Sequence, residues 1–403
     1  MEMTEYTQKL SDDLWSFEGL GDEDETPEKL LAYLNSPTFR SFGDGLSALI
    51  KTKLAGHGSV TPIEYIKHCC QKKHITIASR NTLTNWFLNG VRPKKSTESR
   101  EMMFAIAFAL ELSIEETKAL FQKVYLDRAI NERDYKELIY YHCLKSKKTF
   151  QHAKNLIDRV KWDEPAKEST IRTRFIADAT DSMEDDDLLT YIAEHPHNFQ
   201  IRNTAAKQAV AKYISRATSY AQEEANRNPE DETLHGKNRT SINFVYERIT
   251  NTRVSEKTGT KTIFKNAELP KEIKTNFPQP VVFSKEDPSF EELRKMIIFL
   301  FSYCSWHEYE TQLAMIDVSE YFDFCEEQSN QSLENCASPM IKIDASTLFD
   351  CYEDQLNRLL AGCGLPSLYY GNPFDWLFMY CTLQPTPLDT FRGVLAEALS
   401  LAD

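Results

Sequence analysis

The chain has 403 residues, 41% apolar and 27% charged, with a formal net charge of −14, which is the composition of a globular protein with two or three domains. Its longest apolar runs, 102–110 and 296–301, are too short to span a membrane, and its first residues lack a signal-peptide pattern, so a cytoplasmic location is expected. The nine cysteines are scattered and include no CxxC pair, which predicts reduced thiols. The nine histidines lack the spacing of metal ligands, so neither a metal site nor a cofactor is predicted.

The first segment, residues 1–38, is predicted to be an acidic arm. Residues 1–35 contain 10 acidic and 2 basic residues, and such a charge run is typical of solvated chain. One short helix is predicted within it, from Glu28 to Leu34.

Positive charge is concentrated in the basic segment, which we define as Arg40 to Arg100. It has 11 Lys and Arg residues against 3 Asp and Glu, whereas the rest of the chain has 36 against 58. Polyanions should be attracted to this segment and repelled elsewhere, because the sign of the local charge decides which partner approaches.

A domain of five short helices is predicted over residues 39–126. One of the helices begins with a capping box, Ser113 with Glu116, in which each side chain satisfies a backbone N–H group of the other residue. Thr61 and, near the C-terminus, Asn372 are predicted caps, each followed by Pro at the first helical position and by an acid, Glu64 or Asp375, that meets the positive end of the helix dipole. The predicted helices are Gly45–Leu54, Thr61–Gln71, Ser79–Asn89, Thr97–Glu111 and one that starts after Ser113.

The third of these helices is polar on one face. Leu83 and Trp86 are three residues apart and should face inward, while Ser79 and Gly90 suit the start and end of a helix. The outward side chains can hydrogen-bond to base edges or phosphates; they are Arg80, Asn81, Thr82, Thr84 and Asn85. The basic side chains next to the helix, which are predicted to contact phosphates, are Lys72, Lys73, Arg92, Lys94 and Lys95.

The region resembles the lambda-repressor-like helix-turn-helix domain of the Cro and repressor type, over residues of about 41–125, one fifth of the chain. The resemblance rests on the order of the five helices and on two stretches, SRNTLTNWFLNGVRP (79–93) and IAFALELSIEET (106–117). The resemblance implies that Thr61–Gln71 is the second helix and Ser79–Asn89 the recognition helix. It also implies that base contacts come from the five outward side chains, Arg80 to Asn85.

Two other functions remain open. The turn at 72–78 is longer than is usual in that family and Phe87 replaces a polar residue, so the third helix could contact a protein partner instead, as in a phage or mobile-element conflict system. A nuclease that uses Arg133 and His142 is disfavoured, because nine residues separate them and they do not share one helical face. No nucleophile elbow, phosphate loop or paired-carboxylate motif occurs, so no enzyme activity is predicted.

The remaining chain is predicted to be helical, with a middle domain at 127–257 and a C-terminal domain at 289–403. The linker between them, 258–288, is rich in Lys and Pro, with a small hairpin around 262–265. Residues 286–403 contain 20 acidic and 5 basic residues. The aromatic stretch at 362–381 is interpreted as a packed corner, with a protein partner site as the alternative.

The sequence thus predicts an all-α protein whose leading function is sequence-specific DNA binding in transcription regulation, with a helical region for sensing or dimerisation. A homodimer is expected, because such domains commonly read two half-sites. Contacts with about five phosphates predict that the logarithm of affinity falls against the logarithm of salt concentration with a slope of roughly −4 to −5.

Overall fold

A computed structural model describes residues 4–18, 27–57, 59–76, 80–161, 173–199, 203–227, 239–252, 264, 267–315 and 345–400. Within these ranges the regular structure consists of nineteen α-helices with a few 3-10 and π turns, and no strand is present. The predicted all-α class is confirmed. None of the helices in these ranges combines the length and apolar character needed to cross a membrane.

The helices, in chain order, are α1 Glu5–Glu18, α2 Pro27–Leu34, α3 Phe42–Leu49, α4 Lys51–Leu54, α5 Pro62–Lys72, α6 Arg80–Phe87, α7 Thr97–Ala109, α8 Ile114–Ala119, α9 Tyr135–Lys145, α10 Phe150–Arg159, α11 Thr173–Thr180, α12 Asp185–Glu194, α13 Thr204–Arg227, α14 Ile242–Thr250, α15 Lys271–Asn276, α16 Phe290–Met315, α17 Ala345–Gly362, α18 Pro373–Thr382 and α19 Pro387–Ser400. They form two compact units. The basic unit is Arg40–Asn203, with 26 Lys and Arg against 22 Asp and Glu. The acidic unit is Met1–Phe39 together with Thr204–Asp403.

Several predicted helix ends are confirmed. The capping box at Ser113 with Glu116 forms as predicted, and the Asn372 side chain accepts a hydrogen bond from the Phe374 N–H. Thr61 caps α5 as predicted and in addition forms a capping box with Glu64. Gly90 follows α6 with a φ of 61°, the left-handed conformation that glycine adopts most readily. The cap predicted at Ser79 lies outside the described residues.

The core of the basic unit is built around α7. Every residue from Met103 to Leu110 is buried. The Phe104 ring stacks on Tyr140 at 4.7 Å, and the Phe108 ring lies 5.6 Å from Phe150. The predicted boundary at 126/127 is therefore not a domain boundary, because α9 and α10 cover a face of α7 that a five-helix domain would leave bare.

A buried ion network joins α7 to α9. Glu137, 5% exposed, accepts bidentate hydrogen bonds of 2.8 to 3.0 Å from both Arg100 and Arg128. Arg100 also donates to Asp127 at 2.7 Å and to two backbone carbonyls, Arg128 O and Ala129 O. Hydrogen bonds thus surround each buried charge, the condition under which a buried ion pair is tolerated.

Acid should weaken this network. Burial raises the pKa of Glu137, but the charges of Arg100 and Arg128 outweigh that effect and hold the pKa below its ordinary value. The resulting stabilisation is present above the unfolded-chain pKa of about 4.3 and is lost as pH falls through the lower folded pKa. We expect the protection factors of the amides in α7 and α9, that is, the factors by which folding slows their exchange relative to the unfolded chain at the same pH, to decrease below about pH 4. Glu137→Gln should flatten this pH profile, and a profile identical to the wild type would contradict the assignment.

The acidic unit is organised around α16. Leu293, Ile297, Leu300 and Cys304 form an apolar stripe along this helix and are each at most 1% exposed. Helix α13 packs along α16, and small buried side chains allow its backbone to approach closely; they are Ala206, Ala209, Ala217, Ala221 and Ala225.

The prediction of an acidic arm at 1–38 is wrong for the residues that the structure describes. Leu10 and Leu14 of α1 are fully buried, and Leu30, Leu31 and Leu34 of α2 are at most 3% exposed. Leu14, Leu30, Leu31 and Leu34 belong to the core of the acidic unit, while the acidic residues Asp12 and Glu28 of the same helices are exposed. The prediction followed the bulk charge and overlooked this apolar stripe.

The linker predicted at 258–288 also differs from the structure. Phe264, Leu269, Ile273 and Phe277 are at most 3% exposed and belong to the core of the acidic unit. Apart from Phe264, the hairpin expected at 262–265 lies outside the described residues. The predicted middle domain at 127–257 is likewise divided, since the basic unit ends at Asn203.

The aromatic stretch at 362–381 forms a packed corner. Phe374, Trp376 and Phe378 are at most 1% exposed, and the indole N–H of Trp376 donates to the Leu10 carbonyl at 3.1 Å. These three rings are core residues, so only the half-buried Tyr369 and Tyr370 remain for the predicted partner contact.

Candidate nucleic-acid interface

The position of α6 is set by its apolar face. Leu83 and Trp86 are 2% and 3% exposed, and α6 packs against α3 and α5. The Trp86 ring meets Phe42 of α3 edge to face, with ring centroids 5.0 Å apart. Gly43 allows this approach: a Cβ atom there would lie 2.6 Å from the Trp86 carbonyl oxygen and 2.7 Å from the Phe87 Cα.

The opposite face of α6 is polar and exposed. Asn81 and Asn85 are exposed, whereas Thr82 and Thr84 are half-buried. The Asn85 side-chain oxygen accepts a hydrogen bond of 2.9 Å from Asn89. Arg80 begins the helix, but its side chain lies outside the described residues. The structure therefore brings Asn81, Thr84 and Asn85 onto one accessible face, as the sequence predicted.

The basic side chains beside α6 fall into two groups. Lys72 and Lys94 are exposed and free to meet a phosphate. Lys73 forms an ion pair with Glu111, while Lys95 is half-buried and its charge helps to lower the pKa of Asp127. Lys73 and Lys95 would have to share their charge with these carboxylates.

Arg92 has a structural position that the sequence did not predict. Its guanidinium donates to the Val124 carbonyl and, at 3.0 Å, to the Arg40 carbonyl. The Tyr125 hydroxyl donates to the Lys94 carbonyl at 2.7 Å in the same segment. Arg92 therefore fixes the chain that leaves α6, and it is removed from the set of predicted phosphate contacts.

Leu88 was missed by the sequence analysis. Its N–H donates to the Thr84 carbonyl at 2.8 Å, which extends α6 by one residue, and the side chain is 73% exposed. It follows Asn81, Thr84 and Asn85 at the spacing i+7, i+4 and i+3, so it lies on the same face. This spacing was the signal that could have identified it.

The residues of the nuclease alternative have other partners. The His142 Nε2 atom lies 2.9 Å from an Asp185 oxygen, and Arg133 donates to the Asn198 carbonyl at 3.4 Å. His142 is only 7% exposed. Within the described ranges, no group of His, Cys, Asp and Glu side chains is arranged to hold a metal ion.

Comparisons with known proteins found no match to this chain among family models, curated proteins or solved structures. The function is therefore inferred from the geometry of the basic unit.

Proposed function

We propose that the protein is a sequence-specific DNA-binding regulator that places the outer face of α6 in the major groove. The observation that carries the proposal is an exposed row, Asn81, Asn85 and Leu88, on a helix whose opposite face is buried. Asparagine amides can pair with an adenine edge, and an apolar side chain can contact a thymine methyl group. We expect the protein to bind DNA as a dimer that contacts two half-sites. The acidic unit would then serve in dimerisation or in sensing a signal.

Phosphate contacts in this proposal come from four lysines, namely Lys72, Lys73, Lys94 and Lys95, since Arg92 is engaged with backbone carbonyls. Four contacts correspond to a slope of roughly −3 to −4 for the logarithm of affinity against the logarithm of salt concentration. This is shallower than the slope expected when Arg92 is counted.

Charge reversal at exposed lysines tests the proposal. We expect Lys72→Glu with Lys94→Glu to weaken binding to a selected duplex by about two orders of magnitude, because each phosphate contact is replaced by repulsion. The measurement is fluorescence anisotropy with a labelled duplex, chosen by selection from a random pool, over a range of salt concentrations.

A matched control changes the charge equally elsewhere in the basic unit. Lys118 and Lys136 are on α8 and α9, outside the basic segment, and their double reversal to Glu should leave the affinity within about twofold. The proposal fails if the wild-type protein selects no duplex, or if both double variants bind equally well.

A second candidate, contact with a protein partner, is favoured by Leu88 and Val91, which are 73% and 36% exposed at the end of α6. Exposed apolar side chains at one place can mark an interface. A partner that crosslinks to wild-type protein and is lost on Leu88→Asp, in the absence of duplex binding, would favour this candidate.

A further inference from the structure

The basic unit contains a cleft of about 660 Å³. It lies where α5, α7 and α9 end and where α8 and α10 begin. Small-molecule sites typically measure about 300–1,000 Å³, so the cleft has the size of a small-ligand site. It is too small to admit a nucleic-acid duplex.

The charge of the cleft is opposite to that of the chain as a whole. Five lysines and two glutamates line it, a formal charge of +3 in a protein with a net charge of −14. Lys145 and Lys148 form ion pairs with Asp181 and Asp185, and counting these two carboxylates leaves a charge of +1. A cleft of one sign with low-dielectric walls concentrates the field and attracts a ligand of the opposite sign. The lysines are Lys53, Lys73, Lys145, Lys147 and Lys148.

Lys147 is the lysine most available to a ligand. Its ammonium group has no hydrogen-bond or ion-pair partner among the described residues, whereas Lys73 pairs with Glu111 and Lys148 with Asp185. Lys53 lies 3.5 Å from Glu116. The pairs of Lys53 and Lys73 are partly exposed, and such pairs stabilise a protein by only about 0–1 kcal/mol, so these two ammonium groups can turn to an incoming anion at small cost. Lys148 is held more firmly, because Asp185 also contacts His142 and His152.

The backbone at the rim is strained in a repeated way. His74, Glu111 and Lys147 follow α5, α7 and α9 with φ values of 55°, 50° and 53°. Glycine is the usual residue at such a helix end, and a side chain in this conformation costs roughly 1–2 kcal/mol. Leu126 and Asn251, which do not line the cleft, have the same conformation, so it marks these helix ends in general. Its consequence here is that the side chains of Glu111 and Lys147 stand at the rim of the cleft.

An apolar floor completes the cleft. Phe108 and Phe150 line it with their ring centroids 5.6 Å apart, and Ile75, Leu112 and Leu144 lie beside them. Helix α10, ten residues long, starts at the cleft and adds the positive end of its dipole. A ligand that suits both parts has an anionic group for the lysines and a flat apolar body for the rings.

We propose that this cleft binds an organic phosphate of nucleotide size. Its phosphates meet Lys147 and Lys53, and its apolar body lies over Phe108 and Phe150. The proposal does not depend on DNA binding, because Lys147 and Lys53 are not among the proposed DNA contacts. Lys73 is the one lysine that belongs to both sets.

ATP, inorganic pyrophosphate and adenosine serve as probes in calorimetric titration of the full chain at low salt without magnesium. We expect ATP to bind most tightly, because pyrophosphate lacks the apolar body and adenosine lacks the charge. Lys147→Gly should weaken ATP binding by about tenfold, the effect of losing one charged hydrogen bond. Its melting temperature should equal or exceed that of the wild type, since glycine relieves the strain at this φ.

Lys136→Ala, which removes an exposed lysine at the start of α9, outside the cleft and outside the proposed DNA contacts, is the matched control and should bind ATP like the wild type. The proposal is overturned if no probe binds, if Lys147→Gly retains full affinity, or if Lys136→Ala loses as much. Equal affinity for ATP and pyrophosphate would overturn the assignment of an organic ligand.

Discussion

Glu137→Ala is expected to lower the free energy of unfolding of the basic unit by about 3–5 kcal/mol. The substitution leaves the guanidinium groups of Arg100 and Arg128, which are 8% and 9% exposed, without the carboxylate that binds both of them. Two positive charges then remain buried and close together, which is far more costly than the loss of a surface pair. Amide exchange in α7 and α9 measures this local stability separately from that of the acidic unit.

Glu101→Ala is the appropriate control. Glu101 adjoins Arg100 on α7 and pairs with Lys154 at 2.7 Å, but its side chain is 41% exposed. Its removal should cost less than about 1 kcal/mol. If Glu137→Ala costs no more than Glu101→Ala, the network does not hold α7 and α9 together.

Gly43→Ala is expected to destabilise the basic unit by about 1–3 kcal/mol, the usual cost of overpacking. The added Cβ would lie 2.6 Å from the Trp86 carbonyl oxygen and 2.7 Å from the Phe87 Cα. Both are backbone atoms of α6, which cannot rotate away as the end of a side chain can. The helices α3 and α6 must therefore separate, and duplex affinity should fall together with stability.

Gly45→Ala tests the same change two residues later in α3. A Cβ at Gly45 would meet the Val124 side chain at 3.3 Å, which can adjust, and alanine is favoured over glycine inside a helix by about 1 kcal/mol. We expect stability close to that of the wild type in this variant. Equal destabilisation by both substitutions would show that the contact between Gly43 and Trp86 is not the cause.

Local patterns in the sequence were sufficient to predict the starts of α5 and α8 and the two faces of α6, but not the division of the predicted helix Gly45–Leu54 into α3 and α4. Leu83 and Trp86 are buried and Asn81 and Asn85 are exposed, as spacing alone required. For residues 1–38 the prediction of a solvated acidic arm was wrong, because it relied on the acidic charge and disregarded the helical spacing of the leucines.

Features formed by distant residues could not be predicted in this way. Arg100 and Glu137 are 37 residues apart, and no local spacing reveals their pairing. The run Met102–Leu110 did carry a signal, since a helix that is apolar on all sides must be buried on all sides. That signal argues for a unit larger than five helices, as the structure shows.

Arg92 holds the segment after α6 to the carbonyls of Arg40 and Val124, which has a consequence for the entropy of association. A segment that becomes ordered only on binding loses conformational freedom at that moment, at about 0.5–1.5 kcal/mol for each side chain immobilised. Here the backbone of the segment is held in place without a partner. A partner of this surface would therefore meet a preorganised backbone, and the freedom lost on complex formation would be that of the exposed side chains: Asn81, Asn85 and Leu88 on α6, with Lys72 and Lys94 beside it.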